Sequence, residues 1–297
     1  PNFNKVGGVE TWLENLMKMF PKEISEICTI SSNNNQRLYS YGIPITSGVK
    51  QAREMCATFK NVLVWGEQNI ERLLEKGNPK NLFFIHHGDE TSIWGRETFD
   101  IQSKYSNNLI AVNKNVAKKY NCTLIENFVD ISRCSESHNP KGKTVTWAHR
   151  LSSEKRPEIL IEIAKNMPDY NFILCGEGNL KQTIVSSMPK NCKYLGSPTN
   201  LKDIFEKTSV FISTSDQEAF GYSVGEAILS GVPVVSFAVG LGKDFADVVI
   251  KDKFTISDWI SGIKKCSGER SKHSQKLLDN YNKKIFYDKW SKIINTP

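Results

Sequence analysis

The chain has 297 residues, 39% of them hydrophobic and 24% charged, with a formal net charge of +7. That length suits two domains, and that balance suits a globular chain with a sizeable core rather than a disordered one. No apolar run approaches the roughly 20 residues that span a bilayer, the seven scattered cysteines lack any zinc spacing and read as free thiols of a reducing cytoplasm, and the positive charge points to acidic partners such as a nucleoside diphosphate, anionic lipid or nucleic acid.

Residues 11–20 carry apolar side chains at 12, 13, 16, 17, 19 and 20, a helical spacing. Gly7 and Gly8 stand just before it. A paired glycine at a helix start is either an approach loop for a phosphate or sugar, or a simple turn. Residues 24–31 and 61–65 suit strands, and 49–59 and 67–75 suit helices. Residues 81–85 read as a buried strand ending in His86-His87-Gly88-Asp89-Glu90. Open α/β sheets bind ligands at the carboxyl ends of their strands; two surface histidines in a solvated loop are the plainer alternative. Adjacent histidines project differently, and nothing nearby completes a metal set. A strand over 108–112, a short helix over 114–120 and the segment Asn127-Phe128-Val129-Asp130 follow. Residues 131–142, rich in Ser, Asn, Pro and Gly, read as a linker.

Residues 143–148 form the next expected strand. His149, Arg150, Lys155 and Arg156 come after it and before the amphipathic helix 158–166. A diphosphate lies at such a place in a doubly wound fold, where Arg forks to two oxygens and Lys acts as a point charge. The strand 170–175 ends in Gly176-Glu177-Gly178, a weak signal alone. A strand over 193–195 turns at Gly196, and 201–206 suit a short helix. Val210-Phe211-Ile212 is a β-rich apolar run and reads as a buried strand. A polar loop leads to Gly221, which opens a helix with apolar Val224, Ala227, Ile228 and Leu229. Gly231 is the expected left-handed stop, Pro233 cannot continue the helix, and residues 233–237 form the next parallel strand. A helix N-terminus suits phosphate. Glu218 and Glu226 flank it, and an acid there suits sugar hydroxyls better than phosphate. A glycine-containing loop at 238–242 and a basic, helix-forming tail at 270–295 complete the chain.

The string Glu218-Ala219-Phe220-Gly221, then Glu226-Ala227, then Gly231-Val232-Pro233-Val234-Val235 sets two acids seven residues apart. It is very similar to the E-x7-E signature of retaining nucleotide-sugar glycosyltransferases of the group 1 type. The resemblance implies an α/β fold of two Rossmann-like domains facing across a cleft, the GT-B architecture, with a C-terminal helix crossing back to the first domain. Residues 1–137 would be the acceptor domain, shorter than the family norm and with its first strand upstream of Pro1. Residues 138–280 would be the donor domain and 281–297 the returning helix. Arg150 and Lys155 match the family's G-R-L and E-K-G pattern, with His149 and Arg156 standing where glycines are usual. Asn127 to Asp130 resembles the N-x-V-D exit from the first domain. His87 matches the family's sugar-facing histidine better than His86 does.

On that resemblance the catalytic set is His87, Glu218, Arg150 and Lys155. The donor would meet Gly7, Gly8, Gly176, Gly178, Gly196, Ala219, Phe220, Gly221 and Glu226, with the base held mostly by backbone near Gly196. No D-x-D site is present and no metal or other cofactor is expected; the co-substrate is a nucleoside diphosphate sugar, with UDP as the nucleotide. The expected reaction is retaining transfer to an acceptor hydroxyl of a cell-envelope or other glycan, lipid-linked acceptors included. A phage-type enzyme acting on modified DNA bases and a non-catalytic nucleotide-sugar binder are the alternatives. The expected location is the cytoplasm, with anionic membrane at its inner face as a peripheral contact.

Overall fold

The computed structural model describes residues 8–29, 42–65, 69–88, 99–251 and 255–297. Expectations at Gly7, Asp89, Glu90, 30–31 and 67–68 lie outside the described residues. The chain forms two compact units, Pro1–Asn127 with Lys284–Pro297, and Phe128–Lys283. The division after Asn127 comes earlier than the expected one after residue 137. The reason is local. The Asp130 side chain accepts from Ser132 N at 3.0 Å and caps a 3-10 turn, Ile131–Arg133. Cys134 is buried, and Ser135 N donates to Ser230 Oγ at 2.9 Å. The Ser-, Pro- and Gly-rich stretch thus begins the second unit as packed turns and is not a free linker.

The first unit opens with α1 (Gly8–Met19), whose residues 11–17 are buried. Strands β1 (Ile27–Thr29) and β2 (Ile45–Ser47) pair in parallel. Helix α2 (Val49–Thr58) leads to β3 (Asn61–Trp65), α3 (Ile70–Leu74), β4 (Asn81–His86), β5 (Leu109–Ala111), α4 (Lys114–Tyr120) and β6 (Thr123–Leu124). β3 to β6 form a second parallel sheet in chain order.

The second unit holds one parallel sheet, built from β7 (Thr144–Ala148), α5 (Pro157–Asn166), β8 (Asn171–Cys175), α6 (Lys181–Ser186), β9 (Cys192–Tyr194), α7 (Lys202–Phe205), β10 (Val210–Ser213), α8 (Tyr222–Leu229), β11 (Val234–Phe237), α9 (Gly242–Phe245), β12 (Val248–Ile250), α10 (Ile256–Cys266) and α11 (Ser274–Asn280). The tail gives α11 here and α12 (Lys283–Ile294), which serves the first unit: Trp290 is fully buried against Trp12, and Asn61 Nδ2 donates to the carbonyls of Ile294 and Thr296. The second sheet runs β12-β11-β10-β7-β8-β9. All four residues of β10 are buried, as expected for a central strand covered on both faces. The order reverses between β7 and β10. Their connections leave in opposite directions, so a crevice opens at their carboxyl ends, the place where such sheets bind ligands.

Candidate active site

Two loops meet at that crevice, the one after β7 and the one after β10. Trp147 Nε1 donates to Thr214 Oγ1 at 2.8 Å, and Thr214 Oγ1 reaches the Lys155 carbonyl at 2.7 Å. Asp216 N donates to the Glu154 carbonyl at 2.8 Å. These bonds hold the turn Ser153–Lys155 against the start of the second loop. Lys155 is thereby aimed at Glu218: Nζ lies 2.7 Å from Oε1 and donates also to the Gln217 carbonyl at 2.8 Å. Ser215 Oγ donates to the same Glu218 oxygen at 3.2 Å, and His149 Nδ1 stands at 3.5 Å. The other oxygen, Oε2, is not engaged by these groups.

Burial by itself would push the Glu218 carboxyl up. The Lys155 charge, with help from His149, more than offsets this and holds it down at about 2. Burial pushes the His149 imidazole below its usual range, so the ring is neutral near pH 7. A neutral ring facing a carboxylate puts its proton on Nδ1, and Nε2 is then an acceptor that lies buried without a partner. The departure from glycine at 149 therefore adds a side chain to this site.

Arg150 lies apart from the pair. Its side chain is 65% exposed and pairs loosely with Glu154 at 3.9 Å. Arg156, read as an ordinary surface cation, pairs with Glu158 and Asp216.

The strand-end glycines are positions of close main-chain approach. A Cβ on Gly176 would sit 1.8 Å from the His149 carbonyl oxygen, and one on Gly178 2.1 Å from that of Leu151. Glycine is required there because the loops after β7 and β8 touch, main chain to main chain. Gly176 N donates to the Gly196 carbonyl at 2.6 Å, which ties in the turn after β9. Gly221 has φ +92° and room around it, so conformation and not space selects glycine at the cap of α8. The Phe220 ring packs on Tyr222 and Tyr281 and belongs to the core, which leaves its main chain for any ligand. Ala219 is half-buried between them.

Glu226 sits inside α8 and is 3% exposed. Arg133 Nε donates to its Oε1 at 2.5 Å. Nothing in the sequence marked Arg133, whose partner lies far along the chain; only its place just after the Asn127-to-Asp130 segment could have drawn notice.

In the first unit, His87 follows β4 directly. Its ring is 4.6 Å from Trp12, edge to face, and its Nε2 is buried with no partner. Burial, and to a lesser degree His86, push its imidazole down to about 3. Gly8 is the first residue of α1. Among the described residues no cluster of His, Cys, Asp and Glu could hold a metal ion, and no helix is long and apolar enough to cross a membrane.

Residues 129–263 match the family of glycosyl transferases group 1. This part of the chain is similar to the group 1 glycosyltransferases. The GtfA subunit of a UDP-N-acetylglucosamine–peptide N-acetylglucosaminyltransferase from Streptococcus agalactiae is 27% identical over 203 residues, 58% of this chain and 40% of that protein. The O-antigen biosynthesis glycosyltransferase WbnH of Escherichia coli is 22% identical over 272 residues, 80% of this chain and 79% of that one. The crystal structure of Anabaena HepE in complex with UDP-glucose is similar at a TM-score of 0.81 and 17% identity, covering 99% of this chain and 97% of that one. At that identity the likeness speaks for the fold, which is the GT-B type. The chain spans 40% of the length of the first curated relative it matches. The matched stretch includes Arg133, His149, Lys155, Glu218 and Glu226.

Proposed function

We propose that the chain transfers a sugar from UDP to an acceptor hydroxyl, with retention at the anomeric carbon and without a bound metal. The observation that carries this is the Lys155–Glu218 pair at the switch point of the sheet. A carboxylate beside a diphosphate would ordinarily repel it. Paired with Lys155, Glu218 becomes compatible with that neighbour and keeps Oε2 for a sugar hydroxyl. Lys155, Arg150 and the N-terminus of α8 then face the charge that builds on the leaving diphosphate. Glu226 holds the ribose hydroxyls. The names of the GtfA and HepE relatives both carry UDP, which supports that nucleotide. Their acceptors differ, and the O-antigen relative favours a cell-envelope glycan.

Incubation with UDP-, GDP- and ADP-sugars tests the reading. Release of UDP from UDP-sugars, and an α-configured product by NMR when an α-linked donor is used, is the expected result. Tight donor binding with no turnover on any acceptor would instead make the chain a binder.

Two further outcomes are expected. Arg150→Ala should lower kcat/KM about tenfold to a hundredfold, less than loss of a fully enclosed charge-stabilising donor, because Arg150 is exposed. Unchanged kinetics and UDP affinity would remove Arg150 from the site. Turnover should also survive EDTA, since fixed cations supply the charge; activity lost to the chelator and restored by Mg²⁺ or Mn²⁺ would count against this mechanism.

A further inference from the structure

His149 stands where a glycine is usual in the similar family, so its side chain is this chain's own addition to the crevice. Its main chain is held on both sides: N donates to the Cys175 carbonyl at 3.2 Å, and its own carbonyl lies against Gly176. The ring packs on Trp147 at 5.0 Å and on Phe211 at 5.8 Å, both fully buried, and the side chain is 3% exposed. Nε2 has no partner in that enclosure. A buried unpaired nitrogen destabilises a fold, and an apolar side chain of similar bulk would not carry that cost. Packing therefore does not explain an imidazole at 149. What the imidazole adds is Nδ1, 3.5 Å from Glu218 Oε1.

Two nearer groups share that oxygen, Lys155 Nζ at 2.7 Å and Ser215 Oγ at 3.2 Å. Neither fixes its direction. An ammonium on a flexible stem and a hydroxyl rotor both follow a carboxylate that turns, and the last torsion of a glutamate is broad. The imidazole cannot follow, because Trp147 and Phe211 hold its plane. The stem of Glu218 is confined as well: a Cβ on Gly240 would sit 2.9 Å from Glu218 Cβ. Being neutral, the ring adds no second cation to the one that Lys155 supplies.

We propose that His149 is a positioning residue: it fixes the plane of the Glu218 carboxylate, so that Oε2 meets a hydroxyl of the bound sugar from one direction. This rests on the reading of the site given above, in which Glu218 takes a sugar hydroxyl. His149 itself touches no substrate and acts through Glu218. Lys155 sets the charge state of the carboxylate, and His149 sets its orientation. A sugar held by an acceptor of fixed direction is aligned for reaction, whereas an acceptor that turns binds it in several poses, few of them productive.

Nitrogen-15 NMR of the histidine rings, without substrate and near neutral pH, is the first measurement; His149 is one of five and is assigned by the signal lost in its variants. The expected ring is neutral with its proton on Nδ1. A proton on Nε2, or on both nitrogens, would overturn the proposal. The second measurement compares two variants. His149→Leu fills the space without a donor, and His149→Asn returns an amide donor near the place of Nδ1. His149→Leu should melt no lower than the parent, yet lose about tenfold or more in kcat, with KM and UDP affinity changed by less than about twofold. His149→Asn should regain most of that rate. A histidine that serves packing alone gives the reverse, a lower melting temperature with kcat kept in His149→Leu. That result overturns the proposal, as does a rate in His149→Asn no better than in His149→Leu. If the parent binds UDP-sugars without turning them over, the transfer reading fails and this one is read on affinity instead: His149→Leu should then weaken binding of the UDP-sugar but not of UDP. Equal UDP-sugar affinity in parent and His149→Leu would overturn it there.

Discussion

Lys155→Met should slow transfer by about a hundredfold or more and destabilise the second unit by about 3–5 kcal/mol. Both effects come from one geometry. Lys155 and Glu218 are each about 15% exposed, and Nζ is the strongest partner of the carboxylate. Removing the ammonium leaves a desolvated carboxylate with only Ser215 and a neutral His149 beside it. Its proton affinity then rises, because the charge that chiefly opposed burial is gone. The sign of the pH dependence follows. In the parent, Glu218 titrates near 2 against an ordinary 4.5, so the folded state gains from its ionised form. That gain is fully present above about pH 4.5 and is lost as pH falls through about 2. Denaturant midpoints of parent and variant should therefore differ most near pH 7 and converge toward pH 2. A difference independent of pH would mean that Lys155 acts through packing alone. The kinetic arm is separate: Lys155→Arg keeps a charge and should recover part of the turnover, whereas a purely structural lysine would show recovery of stability without recovery of rate.

The parts of this site that were legible in the sequence are those written in a short stretch. Val210 to Ile212 announce a covered strand by composition, Gly221 and Gly231 mark the two ends of α8, and the strand–cation–helix run around Arg150 and Lys155 places the cations at the carboxyl end of a strand. The rest depends on pairings between distant residues. No periodicity couples Arg133 to Glu226 or His149 to Glu218; only the order β10-β7-β8 brings the β7 and β10 loops side by side. The glycines at 176 and 178 were legible as positions of close approach, but what approaches is the neighbouring loop. Composition misled at 131–142, since Ser, Asn, Pro and Gly serve tight packed turns as readily as free linkers. In the first unit the strands are three to six residues long, apart from the shorter β6, and β2 carries too little pattern to be found.

The two acids should divide their labour, and Arg133 should be tied to one of them. Glu226 lies within α8, and the proposed reading gives it the ribose, beyond the helix end that would take the phosphates. A carboxylate that accepts ribose hydroxyls holds the nucleotide equally in the ground and transition states, and its loss mainly raises KM. Glu218, on the loop before the helix, is proposed to face the sugar, where contacts change as positive charge develops on the ring, so its loss should lower kcat. Glu226→Gln is therefore expected to weaken UDP binding about tenfold or more, in line with a lost charged hydrogen bond, while Glu218→Gln binds UDP nearly as the parent does and turns over slowly. The Arg133 bond adds a constraint. Glu226 is buried and Arg133 half-buried, and either single neutralisation strands the other charge at a cost of about 3–5 kcal/mol. Stability alone thus cannot separate a ribose ligand from a structural clasp, but the double variant can. Arg133→Gln with Glu226→Gln removes both charges and should recover much of the lost stability, as expected for coupled partners. If Glu226 binds ribose, the recovered fold still binds UDP weakly. Arg133→Gln alone, with Glu226 present but no longer held, should show an intermediate loss of affinity. Calorimetric titration with UDP beside denaturant unfolding reads both quantities on the same samples. Restored stability together with restored UDP affinity in the double variant would make the pair a clasp and leave the ribose to other groups. Loss of nucleotide affinity in Glu218→Gln but not in Glu226→Gln would reverse the assignment of the two acids.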